Sequence, residues 1–433
     1  MAEEKLVPEL RFPEFEGKWV EKRLGDISKI ERGRFSPRPR NNPIYYGGDV
    51  PFVQTGDVVN SRGRIKKYSQ TLNEKGLEVS KLFPKGTILI TIAANIGYAG
   101  ILDEDMACPD SLIGISCNNG IQNHFLNLIL EIEQPRMDYL AVAAAQKNIN
   151  IEFLKPYKVT LPHTLPEQQK IAAFLTAVDE RIRLLQRKKA KLEEYKKGVM
   201  QRLFAAPPLS ASGFSGLEDE QDQNGSEDHP PIQSFGKSSS RQLRFQDENG
   251  HDFPDWEEKK LGEVAVVNMG QSPQSKSYNS VGDGTYLIQG NADIFNRFSK
   301  PRQWTNEPTK ICEIGDLLLT VRAPVGSIAK SIHKACIGRG ICALKAKSNS
   351  DIEYLYQYLL FFEPKWTSIE QGSTFTAISG IDIRTLKIVF PTLPEQQKIA
   401  SFLSSIDTAI EKVSQQIEGA GAFKRGLLQK MFV

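Results

Sequence analysis

LPEQQKIAAFLTAVDERIRLLQRKKAKLEEYKKGVMQRLF, residues 165–204, decides how this chain is read. Pro166 suits a first helical turn, where its missing amide would have no partner, and Glu167 places a carboxylate near the free backbone amides. Both predict a helix start. Apolar residues then recur every seventh position. One row holds Ile171, Val178, Leu185, Leu192 and Val199; its companion holds Leu175, Ile182, Lys189, Lys196 and Leu203. This is a coiled-coil seam with lysines in the middle of one side. Those ammonium groups either extend to the helix surface or meet acidic groups on a partner. A helix of this length spans about 60 Å at about 1.5 Å per residue.

The same text returns at 393–400, where LPEQQKIA repeats 165–172 without a change. Its seam continues as Ile399, Ile406, Val413, Ala420 and Leu427, beside Leu403, Ile410, Ile417, Lys424 and Met431. Lys424 repeats Lys196. An identity of eight residues followed by matched heptads makes the chain two copies of one unit, each ending in a long helix. The two helices are expected to pair as an antiparallel coiled coil and to act as a spacer between two globular units. The identity also suggests one surface offered twice to the same kind of partner.

Outward from the helices, the copies keep a common order. Trp19 precedes Leu24-Gly25-Asp26, and Trp256 precedes Leu261-Gly262-Glu263, which points to a tryptophan anchor at each domain entrance. Apolar strands are expected at 50–54 and 88–92, then at 285–289 and 315–320. Helices are expected at 125–130, 137–146 and 354–361, and closing strands at 159–162 and 388–391. Short strands mixed with helices and many turns predict an α+β fold. The expected domains are 1–164, the helix 165–204, a flexible linker 205–250, a second domain 251–392 and the helix 393–433. The linker reading rests on Pro207-Pro208, many serines and the acidic run at 218–220.

With 433 residues and 40% hydrophobic content, the chain can build two real cores, while a net charge of +3 decides little about partners. Five cysteines without close ligand pairs predict a reducing compartment. No secretory segment opens the sequence and no run approaches the apolar length of a membrane helix, so a cytoplasmic protein with no membrane contact is expected. No phosphate-binding Gly-x-x-x-x-Gly-Lys-Ser/Thr loop is present, and the five histidines lack metal-site spacing. Asn42-Pro43-Ile44-Tyr45 superficially suggests an amino-methyltransferase tetrapeptide, but no cofactor-binding glycine loop precedes it. Catalysis, metal and cofactor are therefore not expected on this chain.

The globular parts carry dispersed basic and amide side chains near turns. Arg and Lys neutralise phosphates, while Arg, Asn and Gln can read base edges. The candidates in the first unit are Arg34, Gln54, Arg62, Arg64, Lys66 and Asn95. In the second they are Gln289, Asn291, Arg297, Arg302 and Arg322. An ordinary solvated face is the competing reading for each residue. Two related but divergent heads on one rod suit two separated DNA half-sites. A noncatalytic scaffold with two protein-binding heads is the alternative.

The paired LPEQQKIA segments, the long helices after them, the closing strands before them, and the cores at 86–97 and 315–326 together resemble the specificity subunit of type I restriction–modification enzymes. The resemblance covers nearly the whole chain. It implies two target recognition domains reading a bipartite, asymmetric double-stranded DNA sequence across an intrachain coiled coil. It implies two modification (methyltransferase) subunits and two restriction (endonuclease and translocase) subunits as partners. S-adenosylmethionine, ATP and Mg2+ would be bound by those partners, with no catalytic residue on this chain.

Overall fold

The long helices occupy Leu165–Phe204 and Leu393–Met431, starting where the repeated Leu-Pro-Glu predicts. The computed structural model describes residues 6–93, 95–143, 148–204, 243–370 and 377–433. The chain divides into two compact units, Met1–Leu185 with Gln416–Val433, and Gln186–Gln415. Each unit thus owns part of both long helices.

In the first unit, Val20–Arg23 pairs antiparallel with the closing strand Lys158–Leu161. A five-stranded sheet runs in the order Ser28–Arg32, Leu112–Cys117, Ile88–Thr91, Ala99–Leu102, Gly63–Ile65. A four-stranded sheet follows the order Gln70–Leu72, Tyr46–Phe52, Met106–Cys108, Lys81–Phe83. Ile88, Leu89 and Ile90 are fully buried, as an uninterrupted apolar run demands of a strand covered on both faces.

The second unit repeats this plan. Glu257–Lys260 pairs with Lys387–Phe390. The larger sheet takes the order Ala265–Met269, Ile341–Ala346, Leu317–Thr320, Ile328–Lys330, Phe298–Ser299, Ile294–Phe295. The smaller one takes Tyr278–Asn279, Gln303–Thr305, Thr285–Ile288, Ala335–Ile337, Ile311–Cys312. The α+β expectation holds in both units.

One helix, Asn123–Ala143, replaces the two expected at 125–130 and 137–146. Pro135 lies inside it. Leu130 and Met137, on either side of the proline, are both buried in the same core. Burying two such side chains is worth about 1.5–3 kcal/mol each, which offsets the roughly 3 kcal/mol that an interior proline costs. Residues 144–146 of that expectation lie outside the described residues.

The identical helix starts have an internal reason. Glu167 is buried and accepts from Arg11 Nε at 2.7 Å, Arg11 Nη2 at 2.8 Å and Trp19 Nε1 at 3.3 Å. Glu395 accepts from Arg244 Nε at 2.9 Å, Arg244 Nη2 at 3.1 Å and Trp256 Nε1 at 2.8 Å. Buried Gln168 accepts the Gln122 amide at 2.9 Å and donates to the Pro162 carbonyl at 3.2 Å. Gln396 does the same with Asp351 and Pro391, at 2.9 and 2.8 Å. The tryptophan anchors are thus real: Trp19 is buried against Phe125 and Phe432, and Trp256 is half-buried.

Arg244 corrects the expected linker. Residues 205–242 lie outside the described residues, but 243–250 belong to the second unit's fold. The Leu243 amide donates to the Arg202 carbonyl at 2.9 Å, and Phe245 is buried beside Phe402. Leu243-Arg244-Phe245 therefore repeats Leu10-Arg11-Phe12, with a longer stretch before the tryptophan.

The seam lysines also find partners inside the chain. In the first unit Lys424 pairs with Asp179 at 2.7 Å. In the second Lys196 pairs with Asp407 at 2.6 Å. Neither free solvent nor a partner protein is needed to account for them. The helix segments run antiparallel within each unit. Asp179 faces Lys424 while Ile171 and Leu175 share a core with Leu427 and Met431. Lys196 faces Asp407 while Val199 and Leu203 share a core with Ile399 and Leu403. Lys189, by contrast, is half-buried, and among the described residues its ion pair is with Glu193 on its own helix, at 3.9 Å.

Candidate nucleic-acid interface

Four connections meet at the sheet ends of the first unit. After Tyr46–Phe52, the Val53 amide donates to the Ala107 carbonyl at 2.9 Å and carries the chain to Gln54. The Gln54 amide donates to Asp57 at 2.8 Å, which closes the N-terminus of the helix Thr55–Asn60. Asp57 also accepts from the Ser69 amide and hydroxyl at 3.2 and 3.0 Å. With both backbones held, Gln54 Nε2 donates to Gln70 Oε1 at 3.0 Å. Thr55 donates its hydroxyl to Ser111 at 3.3 Å, and the Ser111 carbonyl accepts the Ile92 amide at 3.4 Å. The loop carrying Asn95 is thereby joined to the loop at 109–111. Asp110 there accepts Arg40 Nη2 through both oxygens, at 2.7 and 3.0 Å. Its carbonyl accepts Arg32 Nε at 2.7 Å.

The second unit builds the same frame. The Gln289 amide donates to Asp293 at 2.8 Å, and Gln289 Nε2 donates to Gln303 Oε1 at 2.9 Å. The Gly338 amide donates to the Ile288 carbonyl at 2.8 Å, and the Arg339 amide to Ser272 Oγ at 3.1 Å. Gly340 has no room for a side chain, since a Cβ would lie 2.3 Å from the Gln289 carbonyl oxygen. The Val321 amide donates to the Gly340 carbonyl at 2.9 Å, so the loop bearing Arg322 joins the cluster.

The predicted residues sort by what holds them. Gln54, Asn95, Gln289, Asn291 and Arg322 stand on this loop cluster; Asn95, Asn291 and Arg322 are exposed. Arg322 also bridges Ala377 through its backbone, as Ala93 bridges Asn148. Four guanidiniums are engaged internally. Arg34 donates to the Ser80 carbonyl at 2.7 Å and the Glu78 carbonyl at 3.3 Å. Arg64 pairs with Asp103 at 2.8 Å. Arg297 pairs with Glu363 at 2.8 Å and Arg302 with Asp293 at 3.0 Å. Arg62 takes a left-handed φ of 50° at the turn before Gly63–Ile65, and Lys66 is exposed just beyond that strand. Sequence reasoning missed Gln70, Gln303 and Arg339. The Gly338-Arg339-Gly340 triplet was the visible signal for the last: glycines on both sides mark close backbone approach.

Among the described residues, no group of histidine, cysteine or acidic side chains is placed to hold a metal ion, and no helix is long and apolar enough to cross a membrane. The five cysteines are free, and burial pushes the Cys342 and Cys117 thiols up to about 12.

The frame and its repeat now have relatives. The sequence profile described as "Type I restriction modification DNA specificity domain" matches residues 16–194 and 254–419. The chain belongs to the type I restriction–modification specificity-subunit family. It is 31% identical over 420 residues to a Methanocaldococcus jannaschii chain assigned as the MjaX type I restriction enzyme specificity subunit, covering 93% of this chain and 90% of that one. The MjaVIII specificity subunit of the same organism is 26% identical over 430 residues, covering 95% and 91%. Two solved structures share the fold. The specificity subunit of a type I system from M. genitalium superposes with a TM-score of 0.61 at 16% identity, covering 99% of each chain. A chain from a structural study of type I system assembly gives 0.58 at 24% identity, covering 96% of this chain and 97% of that one. As a specificity subunit, the chain is a noncatalytic DNA-recognition component.

Proposed function

We propose that each loop cluster reads one half of a bipartite, asymmetric double-stranded DNA target, and that the two long helices fix the unread gap. One observation carries this reading: the same backbone frame occurs twice, with an amide pair in the same place, while the neighbouring side chains differ. Repetition supplies two readers, and divergence makes their targets unequal. Gln54, Asn95, Gln289, Asn291 and Arg322 are placed for base edges, and Lys66 for phosphates. Arg34, Arg62, Arg64, Arg297 and Arg302 position the loops or add phosphate contacts. Two modification subunits would bind S-adenosylmethionine and methylate adenines flipped from the duplex, and two restriction subunits would use ATP and Mg2+. The assembly would work in the cytoplasm.

The test is a methylation map of genomic DNA from cells with and without this gene, in the presence of its modification partner. A bipartite adenine motif that disappears with the gene is expected. Unchanged methylation, with the chain bound to its partner, would favour a protein-binding scaffold instead.

A further inference from the structure

Arg339 and Asp110 occupy matching places. The Ile341 amide donates to the Gly338 carbonyl at 3.0 Å, and the Leu112 amide to the Pro109 carbonyl at 3.1 Å. Each bond closes a turn whose second residue is Arg339 or Asp110, and each turn leads into a central strand, Ile341–Ala346 or Leu112–Cys117. Their surroundings differ in charge. Asp110 is neutralised by Arg40 through two hydrogen bonds. Arg339 is exposed, and no carboxylate pairs with it among the described residues. Its backbone is nevertheless tightly constrained. The Gly338 and Arg339 amides are bonded to the Ile288 carbonyl and to the Ser272 hydroxyl. Gly270 presses on the same loop, where a Cβ would lie 2.2 Å from the Gly338 oxygen.

A rigid backbone beneath an unpaired guanidinium is the arrangement expected of a reader rather than of a structural cation. Structural arginines in this molecule are held by acids or carbonyls, as Arg244, Arg297 and Arg302 are. Beside Arg339, the Gln289–Gln303 pair leaves amide donors and acceptors at the ends of two inner strands of the smaller sheet. The fork of an arginine matches the O6 and N7 acceptors of guanine, and an amide matches adenine.

We infer that Arg339 is a specificity-determining residue that reads a guanine in the half-site assigned to the second unit, next to a base read by the Gln289–Gln303 pair. This rests on the proposed DNA reading of both loop clusters. The first unit, with Asp110 and Arg40 closed on each other, places no such free fork at that position.

The experiment uses the full chain in complex with its modification subunits. Methylation maps and competition binding to duplexes carrying each base at every target position are compared for the parent, R339A and R339K. The variants are expected to relax one guanine position of one half-site, lowering discrimination there by about 5- to 150-fold. The other half-site stays unchanged and reports intact folding and assembly. R339K keeps the charge and donors but not the planar fork, so it is expected to lose part of the same discrimination. A target motif unchanged in both variants overturns the inference. So does binding that weakens uniformly at every sequence in R339A and is restored in R339K, which identifies a phosphate contact. If the parent complex itself methylates no bipartite motif, the failure belongs to the proposed function.

Discussion

Arg244 reaches Glu395 as Arg11 reaches Glu167, yet Arg339 stands where the first unit has Asp110. The two units are alike where side chains are buried and unlike where they meet solvent. The helix starts, the tryptophan bonds, the buried glutamines and the strand orders all recur. Apart from the glutamine pairs and the Asp57 and Asp293 acceptors that hold them, the loop side chains do not. The difference teaches how one fold can carry two readings: buried charges tolerate little substitution, because losing one partner strands the other, whereas an exposed loop side chain can change at small cost to stability.

The largest expected effect tests whether the buried halves are equivalent. E167A leaves Arg11 and Trp19 without their acceptor, and E395A does so for Arg244 and Trp256. Each is expected to cost about 3–5 kcal/mol. Hydrogen-exchange protection measured unit by unit should fall in the first for E167A and in the second for E395A. A loss confined to one variant breaks the equivalence.

A smaller effect should appear in one unit alone. Glu131 lies four residues before Pro135, where the second unit has Leu360 four residues before Pro364. Burial pushes the Glu131 carboxyl up to about 7, and nearby Asp179 adds to the rise, while Lys424 and a hydrogen bond from Asn127 oppose it. The folded chain therefore holds a proton that the unfolded chain has released, and stability falls as pH rises from about 4.5 to about 7. E131Q removes this dependence. Its advantage over the parent should grow across that window to about 3 kcal/mol, read from denaturation midpoints at several pH values. A constant difference across the window would contradict the assignment.

The seam pairs sharpen the comparison further. Double-mutant cycles on Asp179 with Lys424 and on Lys196 with Asp407 should give matching couplings of about 1 kcal/mol each, since the aspartates are part-exposed. Lys189 provides the smallest effect. Its ion pair among the described residues is long and local, so K189A should change stability by less than about 0.5 kcal/mol in the same assay.

Much of this plan was legible in the sequence because repetition acts as its own alignment. The helix limits, the seams and the closing strands followed from period and punctuation. The ion pairs were less legible: a heptad places lysine on a seam, but the register that brings Asp407 to Lys196 is set by three-dimensional packing. The boundary at Leu243 was hidden by the extra residues between Phe245 and Trp256, which break the spacing to the tryptophan. Composition along the chain overstated the free cations, because Asp103, Asp293 and Glu363 are distant in sequence from the turns they neutralise or lie on different elements. Gln70 and Gln303 were missed because each gains meaning only from its cross-strand partner.

Phe432 packs between Trp19 and Phe125, and the Leu10 amide is bonded to the Lys430 carbonyl. The second unit is one continuous stretch, but the first needs residues 416–433, which are synthesised after all of the second. On the ribosome the order of completion is therefore inverted. The domain made first must wait, with Trp19 and Ile171 lacking part of their cover, until the domain made second has already emerged.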